Sequence, residues 1–270
     1  MRSSQWNYNP DQSGLAKYPT TIGASDSPPP LDASLQTIHE HQRRLRANQA
    51  RSVLLLVHGL DASGKDSLIR TLATAMDPAG FKAYSFGRPD GPETRHDFLW
   101  RFAPCLPGFG EVAAFNRSYH EAVIAERAWP VWSAEAYDWQ ARYAALRHFE
   151  RHLLNEGTAL IKCWLHISRE EHRNRLLKRL DRPHKQWKFD PSDLDAWQRR
   201  EELLGYTEDA LAATHTHEAP WLIIPSDSKP TARRIVASVL ADTLASLAPA
   251  YPPADQTLLA TYRRRLNETR

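Results

Sequence analysis

The segment Gly59-Leu60-Asp61-Ala62-Ser63-Gly64-Lys65 has the residue types and the spacing of a loop that binds phosphate. It follows the apolar run 53–57 and precedes a helical pattern, which is the context that such a loop requires. The glycines let successive backbone N–H groups face a phosphate, the helix N-terminus adds positive potential, and the lysine reaches the outer phosphates. We call residues 59–67 the phosphate loop. The predicted phosphate contacts are Gly59, Ala62, Ser63, Gly64, Lys65, Asp66 and Ser67.

Two carboxylates in the phosphate loop add a second kind of chemistry. Asp66 stands where the general motif has a Ser or Thr that binds magnesium, and Asp61 lies inside the loop. A carboxylate beside bound phosphates is repelled unless a cation lies between them. Asp61 therefore indicates a metal ligand, a general base or a group that orients an acceptor. For Asp66 a metal ligand competes with simple stabilisation of the helix dipole.

A cluster of cations follows the fourth strand-like run. The chain has 270 residues and a net charge of only +3, whereas residues 169–188 contain eight Lys and Arg against three Asp and Glu. Such a row of cations suits a polyanion, although an ordinary solvated helix is the alternative for any single residue, and an Arg-rich composition can be genomic in origin. The predicted contacts to an extended phosphate chain are Arg175, Arg179, Arg182, Lys185 and Lys188.

Short apolar runs alternate with amphipathic patterns along the chain. The predicted strands are 53–57, 81–86, 112–115, 159–167 and 221–225. The predicted helices are 31–50, 65–76, 93–103, 119–128, 134–155, 168–181, 192–213 and 230–247. Continuous apolar strands separated by helices predict an α/β fold, a three-layer sandwich whose parallel sheet is covered on both faces. Arg117 follows the third strand, at the edge where open parallel sheets place ligands.

The ends of the chain and its composition limit the class of protein. Residues 1–30 are rich in Pro and Ser and predict a flexible arm, and residues 249–270 predict a tail with a short basic helix at 258–266. No apolar run has the length of a membrane span or of a signal-peptide core. The two cysteines and the twelve histidines show no metal-binding spacing, so we interpret the histidines as surface residues and predict a reducing, cytoplasmic location.

Several motifs in order resemble the polyphosphate kinase 2 family over residues 35–247. They include Gly64-Lys65-Asp66-Ser67, the six residues from His96 to Arg101, and Phe115-Asn116-Arg117-Ser118. Further matches are residues 165–168, 187–194, 219–221 and Asp227-x-Lys229. The variants are most similar to the subgroup that phosphorylates both nucleoside mono- and diphosphates. One departure is Tyr119-His120, which inverts the usual His-Tyr order of the family.

The resemblance implies a P-loop kinase domain over residues 31–248, related in fold to thymidylate kinase, with a helical lid at about 169–192. It implies phosphoryl transfer between inorganic polyphosphate and AMP, ADP or ATP with magnesium, or manganese in its place, in a homodimer or homotetramer. The implied catalytic residues are Asp61, Lys65 and Arg117, and the implied metal ligands are Asp61 and Asp66. The implied acceptor contacts are Arg88, His96, Asp97, Arg101, Asn116 and Glu121.

Two other functions stay open from the residues alone. One is an ATP-dependent nucleoside or nucleotide kinase on the same fold. The other is a protein that binds nucleic acid or another polyanion through the basic segment, with a non-catalytic loop; we do not expect nucleic acid, because the cations are not interleaved with stacking aromatic residues. A guanine-specific switch protein is not supported, since the motif Asn-Lys-x-Asp does not occur.

Overall fold

A five-stranded parallel sheet forms the centre of the protein. The structure, a computed structural model, describes residues 5–12, 14–23, 26–133, 137–247 and 250–268. The strands are β1 (Ser52–His58), β2 (Phe81–Ser85), β3 (Val112–Asn116), β4 (Thr158–His166) and β5 (Trp221–Pro225). Their order across the sheet is β2-β3-β1-β4-β5, and every neighbouring pair is parallel. The predicted strands and the three-layer α/β class are thereby confirmed.

The described helices follow the strands in the alternation that the sequence predicts. They are α1 (Leu31–Asn48), α2 (Lys65–Ala73), α3 (Ala125–Ala128), α4 (Trp139–Asn155), α5 (Arg169–Asp181), α6 (Pro183–Gln186), α7 (Pro191–Gln198), α8 (Arg200–Thr214), α9 (Lys229–Ser246) and α10 (Gln256–Glu268). Short 3-10 turns lie before α1 and between later elements, at Leu15–Lys17, Pro78–Gly80, Gly91–Arg95, Ala103–Cys105 and Tyr119–Val123.

The central strand β1 is buried at every residue because helices cover both faces of the sheet. Val53, Leu55 and Val57 point into the core that β1 shares with residues of α1, α2 and α9. Leu54 and Leu56 point to the opposite face, into a core that includes residues of α4 and α8. A strand covered on both sides carries a continuous apolar run rather than an alternating one, which is why its sequence pattern was clear.

Four predicted helices differ from the structure. Residues 93–103 form 3-10 turns and bends instead of a helix. Pro92 and Pro104 each lie in the first positions of a 3-10 turn. The Asp97 carboxylate accepts a hydrogen bond of 2.9 Å from Leu99 N. Residues 119–128 divide into a 3-10 turn and α3, and residues 192–213 divide into α7 and α8 at Arg199. The predicted helix at 134–155 begins at Trp139, after the capping carboxylate of Asp138; residues 134–136 lie outside the described residues.

Part of the predicted N-terminal arm packs against the core. Trp6, Tyr8 and Leu15 are buried, and Tyr8 N donates a hydrogen bond of 2.7 Å to the carbonyl oxygen of Trp221 in β5. The arm therefore covers the edge strand of the sheet, which is a common way to shield unpaired backbone groups. The tail differs in that α10 has no buried residue.

Two further expectations concern histidines and membranes. His58, His120, His166 and His172 are buried, so the interpretation of the histidines as surface residues is wrong for these four. None of the helices in the described residues combines the length and the apolar character that a membrane crossing demands.

We predict that Leu15→Ala lowers the free energy of unfolding by about 3 kcal/mol, because it leaves a cavity where the buried Leu15 side chain of the arm packs against the domain. Urea denaturation followed by tryptophan fluorescence measures the change. Lys17→Ala, in the same turn but exposed, is the matched control and should leave the midpoint unchanged. Equal midpoints for both variants would show that the arm does not belong to the folded unit.

Candidate active site

The phosphate loop makes a tight turn between β1 and α2. Its backbone has positive φ at Gly59 (144°), Ala62 (62°) and Gly64 (116°), and α2 begins at Lys65. A Cβ atom at Gly59 would lie 2.9 Å from the carbonyl oxygen of Leu165 on β4. The close approach and the left-handed backbone explain why glycine is required at this position.

Lys65 lies buried against the carbonyl oxygens of its own loop. Its Nζ donates hydrogen bonds of 2.6 Å to Gly59 O and 3.0 Å to Leu60 O. Burial and the nearby guanidinium of Arg117 lower the pKa of Lys65 to about 8. The ammonium is thus held at the loop by acceptors that a bound phosphate can replace.

Asp61 and Arg117 form an ion pair over the phosphate loop. Arg117 Nη2 donates to Asp61 Oδ1 at 2.5 Å. Burial raises the pKa of Asp61, but Arg117 and then Lys65 outweigh it, so the pKa is below its usual value and the group is a carboxylate. Arg117 has a φ of 65°, and its backbone N–H donates to Val57 O at 3.0 Å. The structure therefore brings the three predicted catalytic residues together.

Asp66 links the loop to β3 and to the predicted lid. Its two oxygens accept from Asn116 Nδ2 at 2.6 Å and from Lys188 Nζ at 3.0 Å. Asn116 Oδ1 is buried and has no hydrogen-bond partner. Oxygen atoms of Asp61, Asp66 and Asn116 therefore stand at one cavity, and these are atoms of the type that magnesium prefers. Within the described ranges no group of three or more His, Cys, Asp or Glu residues could hold a metal ion by itself.

A cavity of about 780 Å³ lies between the phosphate loop and the predicted lid. Positive charge dominates its wall, which among the described residues carries nine Lys and Arg against four Asp. The cations are Lys65, Arg70, Arg117, Arg175, Lys178, Arg179, Lys185, Lys188 and Lys229. Such an excess of cations over acids in one cavity favours a ligand that carries several negative charges.

The guanidinium of Arg175 bonds to backbone oxygens of the phosphate loop and has no N–H group left for another partner. Its Nη1 donates to Ala62 O and Ser63 O, its Nη2 donates to Ser226 O and Asp227 O, and its Nε donates to Glu171. These five contacts use the five N–H groups of a guanidinium. Arg175 therefore links the phosphate loop to residues 226–227, and its contact with a phosphate chain stays a prediction.

The other predicted cations of the lid have different positions. Arg179 lines the cavity and donates to both oxygens of Asp193, at 2.9 and 2.7 Å. Lys185 and Lys188 also line it. Arg182 is exposed and does not line the cavity, because the chain leaves the α5 helix there with an extended backbone. The structure thus does not support a phosphate contact by Arg182.

Lys178 and Lys229 line the cavity although neither was among the predicted site residues. Lys229 begins α9, and its Cε would lie 3.6 Å from a Cβ at Gly64. Burial lowers its pKa to about 8, and the nearby charges of Arg175 and Lys185 add to this. In the sequence, Lys229 belongs to the motif Asp227-x-Lys229, which resembles the family pattern. The position of Lys229 beside the phosphate loop is consistent with a role for that motif at the site.

Four predicted acceptor contacts lie apart from the cavity. Arg88 donates to Pro130 O at 3.1 Å, and the ring of His96 stacks on that of Trp100 at 4.0 Å. Asp97 accepts from Leu99 N, as described above. Arg101 donates to Glu93 at 2.8 Å and to Gly87 O. In this conformation His96, Asp97 and Arg101 therefore cap and pair within their own segment, and Arg88 bonds to Pro130.

Asn116 and Glu121 are the two predicted acceptor contacts that the structure places near the phosphate loop. Asn116 lines the cavity. Glu121 lies behind Arg117, and its Oε1 is 3.2 Å from His58 Nδ1. Burial raises the pKa of Glu121, but His58 and Arg117 outweigh it and hold the pKa at about 2. Glu121 is therefore a carboxylate that faces Arg117 and Lys65.

The sequence model of the polyphosphate kinase 2 family matches residues 30–250. The chain belongs to the polyphosphate kinase 2 family. Two curated relatives are similar over most of their length. An ADP-polyphosphate phosphotransferase of Rhodopseudomonas palustris is 36% identical, over 87% of this chain and 86% of its own. An AMP/ADP-polyphosphate phosphotransferase of Meiothermus ruber is 39% identical, over 78% of each chain.

A solved structure of the same family supports the fold. The crystal structure of polyphosphate kinase 2 from Arthrobacter aurescens superposes with a TM-score of 0.90 and 30% identity. The match covers 98% of this chain and 96% of the other. The P-loop kinase-like fold expected of a polyphosphate kinase 2 is thereby confirmed.

The inverted pair Tyr119-His120 is accommodated by a buried acid. His120 Nε2 lies 2.8 Å from Glu150 Oε1, and Lys162 Nζ lies 2.7 Å from Glu150 Oε2. Burial lowers the pKa of His120 to about 4. Tyr119 packs edge-on against Phe102 in the core. This departure from the usual polyphosphate kinase 2 pattern therefore lies behind the site rather than in the cavity.

We predict that Arg175→Ala lowers the free energy of unfolding by about 3 kcal/mol, because it removes a buried charge and leaves loop carbonyls without donors. Thermal unfolding by circular dichroism measures the change. Arg182→Ala, an exposed arginine seven residues on, is the control and should unfold at the wild-type temperature. The assignment of Arg175 as the residue that holds the loop is contradicted if both variants keep that temperature.

Proposed function

We propose that this protein transfers a phosphoryl group between inorganic polyphosphate and AMP or ADP. The observation that carries the proposal is the cationic cavity over the phosphate loop, where Asp61, Lys65 and Arg117 meet. Relatives named as ADP- and AMP/ADP-polyphosphate phosphotransferases support the same reaction class. Family membership makes the chain a phosphotransferase.

Phosphoryl transfer needs little covalent chemistry from the protein, because its transition state is stabilised by position and charge. Lys65 and Arg117 neutralise the oxygens of the transferring group. In the structure Lys65 binds Gly59 O and Leu60 O, and Arg117 binds Asp61. Phosphate oxygens are stronger acceptors than carbonyl oxygens, so Lys65 exchanges its carbonyl partners for the substrate, and a phosphate group with more than one charge competes with the Asp61 carboxylate for Arg117.

Magnesium is the cation that we propose for the site, with manganese as its substitute. Asp61 and Asp66 would hold it, and the unpartnered Oδ1 of Asn116 is a third oxygen at the same wall. When bound, the ion neutralises phosphate charge and orients the reacting groups. This donor set fits magnesium, which usually binds through one or two carboxylates together with substrate phosphates.

The extended donor is proposed to follow the cations of the lid. Arg179, Lys185 and Lys188 keep their predicted role, and Lys178 and Lys229 join them because they line the same cavity. Arg179 and Lys188 are paired with Asp193 and Asp66 when no substrate is bound. A chain with about one negative charge per phosphate can compete with these single carboxylates.

The two alternative functions predict different experimental results. An ATP-dependent nucleotide kinase would form product without polyphosphate, and a nucleic-acid-binding protein would bind RNA or DNA without turnover. Neither is favoured by the polyphosphate kinase 2 relatives. The cytoplasmic location and the homodimer or homotetramer stay predictions.

We predict that the purified protein forms ATP from ADP, polyphosphate and magnesium, and that Lys65→Ala lowers kcat at least 100-fold. Asp61→Asn and Arg117→Ala should also lose most of their turnover. A coupled luciferase assay measures the product. Lys82→Ala is the control, because Lys82 is an exposed lysine paired with Glu111 at the sheet edge. Product formed without polyphosphate, or full turnover by Lys65→Ala, would refute the proposal.

A second prediction concerns pH. Lys229 has a pKa of about 8 and faces Arg175, Lys185, Arg233 and Glu171, so it is charged below that pH and neutral above it. Since a polyanion binds the charged form, affinity for polyphosphate should fall as the pH rises from 7 to 9.5. Lys65 contributes to the same fall, because its pKa is also about 8.

Lys229→Arg keeps its charge over this range, so the fall in affinity should be less steep than in the wild type. Isothermal titration with polyphosphate at several pH values measures it without turnover. The same slope in both proteins would exclude Lys229 from the binding surface.

A further inference from the structure

His58 is a buried histidine directly before the phosphate loop, at the end of β1. Its side chain has no exposed surface. The ring packs edge-on against Trp221 at 5.6 Å between centroids and against His120 at 5.8 Å. The imidazole is therefore held on two sides by other rings of the core.

Both nitrogens of His58 face the segment that follows β3. Nε2 lies 2.7 Å from Ser118 Oγ, and Nδ1 lies 3.2 Å from Glu121 Oε1. Burial raises the pKa of Glu121, but His58 and Arg117 outweigh it, so Glu121 is a carboxylate. The contact between Nε2 and Ser118 Oγ is a hydrogen bond, whereas the contact between Nδ1 and Glu121 is an electrostatic approach without hydrogen-bond geometry. Ser118 Oγ in turn accepts from the backbone N–H of His120 at 3.3 Å.

These contacts are made by residues on the C-terminal side of Arg117. The residue has a φ of 65°, which is unfavourable for a side chain other than glycine and persists only where neighbouring contacts maintain it. On its N-terminal side, Asn116 bonds Asp66; on its C-terminal side, Ser118 bonds His58. The two contacts tie the segment to both ends of the phosphate loop.

We propose that His58 is a positioning residue, which couples the phosphate loop to residues 116–121 and so holds Arg117 at the transferring phosphate, with Glu121 beside Arg117. The inference rests on the proposed phosphotransferase reaction and adds to it a residue outside the cavity wall. Because His58 touches no substrate, its loss acts through the placement of Arg117. A misplacement of about 1 Å in a transfer site can cost about 100-fold in rate.

The test compares His58→Ala with His58→Gln and with His166→Ala in the full chain. The amide of Gln can replace Nε2 and keep the contact with Ser118. His166 is a control of the same type, since it is a buried histidine at the end of the neighbouring strand β4 and does not line the cavity. The assay measures kcat and KM for ADP and for polyphosphate, and circular dichroism measures the unfolding temperature.

We expect His58→Ala to lower kcat about 100-fold with both KM values within about threefold of the wild type. His58→Gln should recover at least about a tenth of the wild-type kcat. His166→Ala should keep kcat even if its unfolding temperature falls as far. Wild-type activity is measured in the same assay, so failure of the proposed function is seen separately, as no polyphosphate-dependent product in the unmodified protein.

A double-mutant cycle with Glu121→Gln separates positioning from bulk stability. If His58 acts through Glu121 and Arg117, the double variant His58→Ala/Glu121→Gln should be no more than about threefold slower than the slower single variant. Additive losses would overturn the proposal, as would a kcat of His58→Ala within about threefold of the wild type. If His58→Ala does not fold, the same cycle with His58→Gln decides, because additive losses there overturn the coupling equally.

Discussion

Mutual repulsion among the cations around the phosphate loop is the constraint on which the rest of the site depends. Like charges that face one cavity raise the energy of the empty protein unless acids lie among them. Asp61 pairs with Arg117, Asp66 with Lys188, and Asp193 with Arg179. Each pair joins a different element to the loop or the lid. The acids therefore stabilise the empty site and leave it able to accept a polyanion.

Binding of phosphate at this site is an exchange of partners. Lys65 and Arg117 are already placed by protein acceptors, so the substrate does not have to order long side chains from solvent. Arg175 is placed differently, because its donors bond the loop and the segment between β5 and α9. One arginine thus joins the loop to that segment, whereas Arg179 and Lys188 pair with carboxylates at the cavity.

The sheet was well predicted because it is buried on both faces, and between Ser52 and His58 at its ends the strand β1 carries only apolar residues. The predicted helix at 93–103 was wrong because local turn signals and packing there compete with the apolar pattern. Its apolar residues fit a helical period, but prolines and the Asp97 cap favour turns, and contacts to the edge of the sheet outweigh the periodicity. The packing of the arm could not be derived from neighbouring residues, because burial of Trp6 and Leu15 depends on a surface distant in sequence.

The sequence by itself determined the phosphate loop, the order of strands and helices, and the presence of a basic segment, since each is written in neighbouring residues. Tertiary structure alone decided which cations face the cavity. Arg175 and Arg182 are indistinguishable as arginines in one basic run, yet one is buried under the loop and the other is in solvent. Lys229 joins the site from 164 residues beyond Lys65 because parallel strands bring their carboxyl ends to one edge.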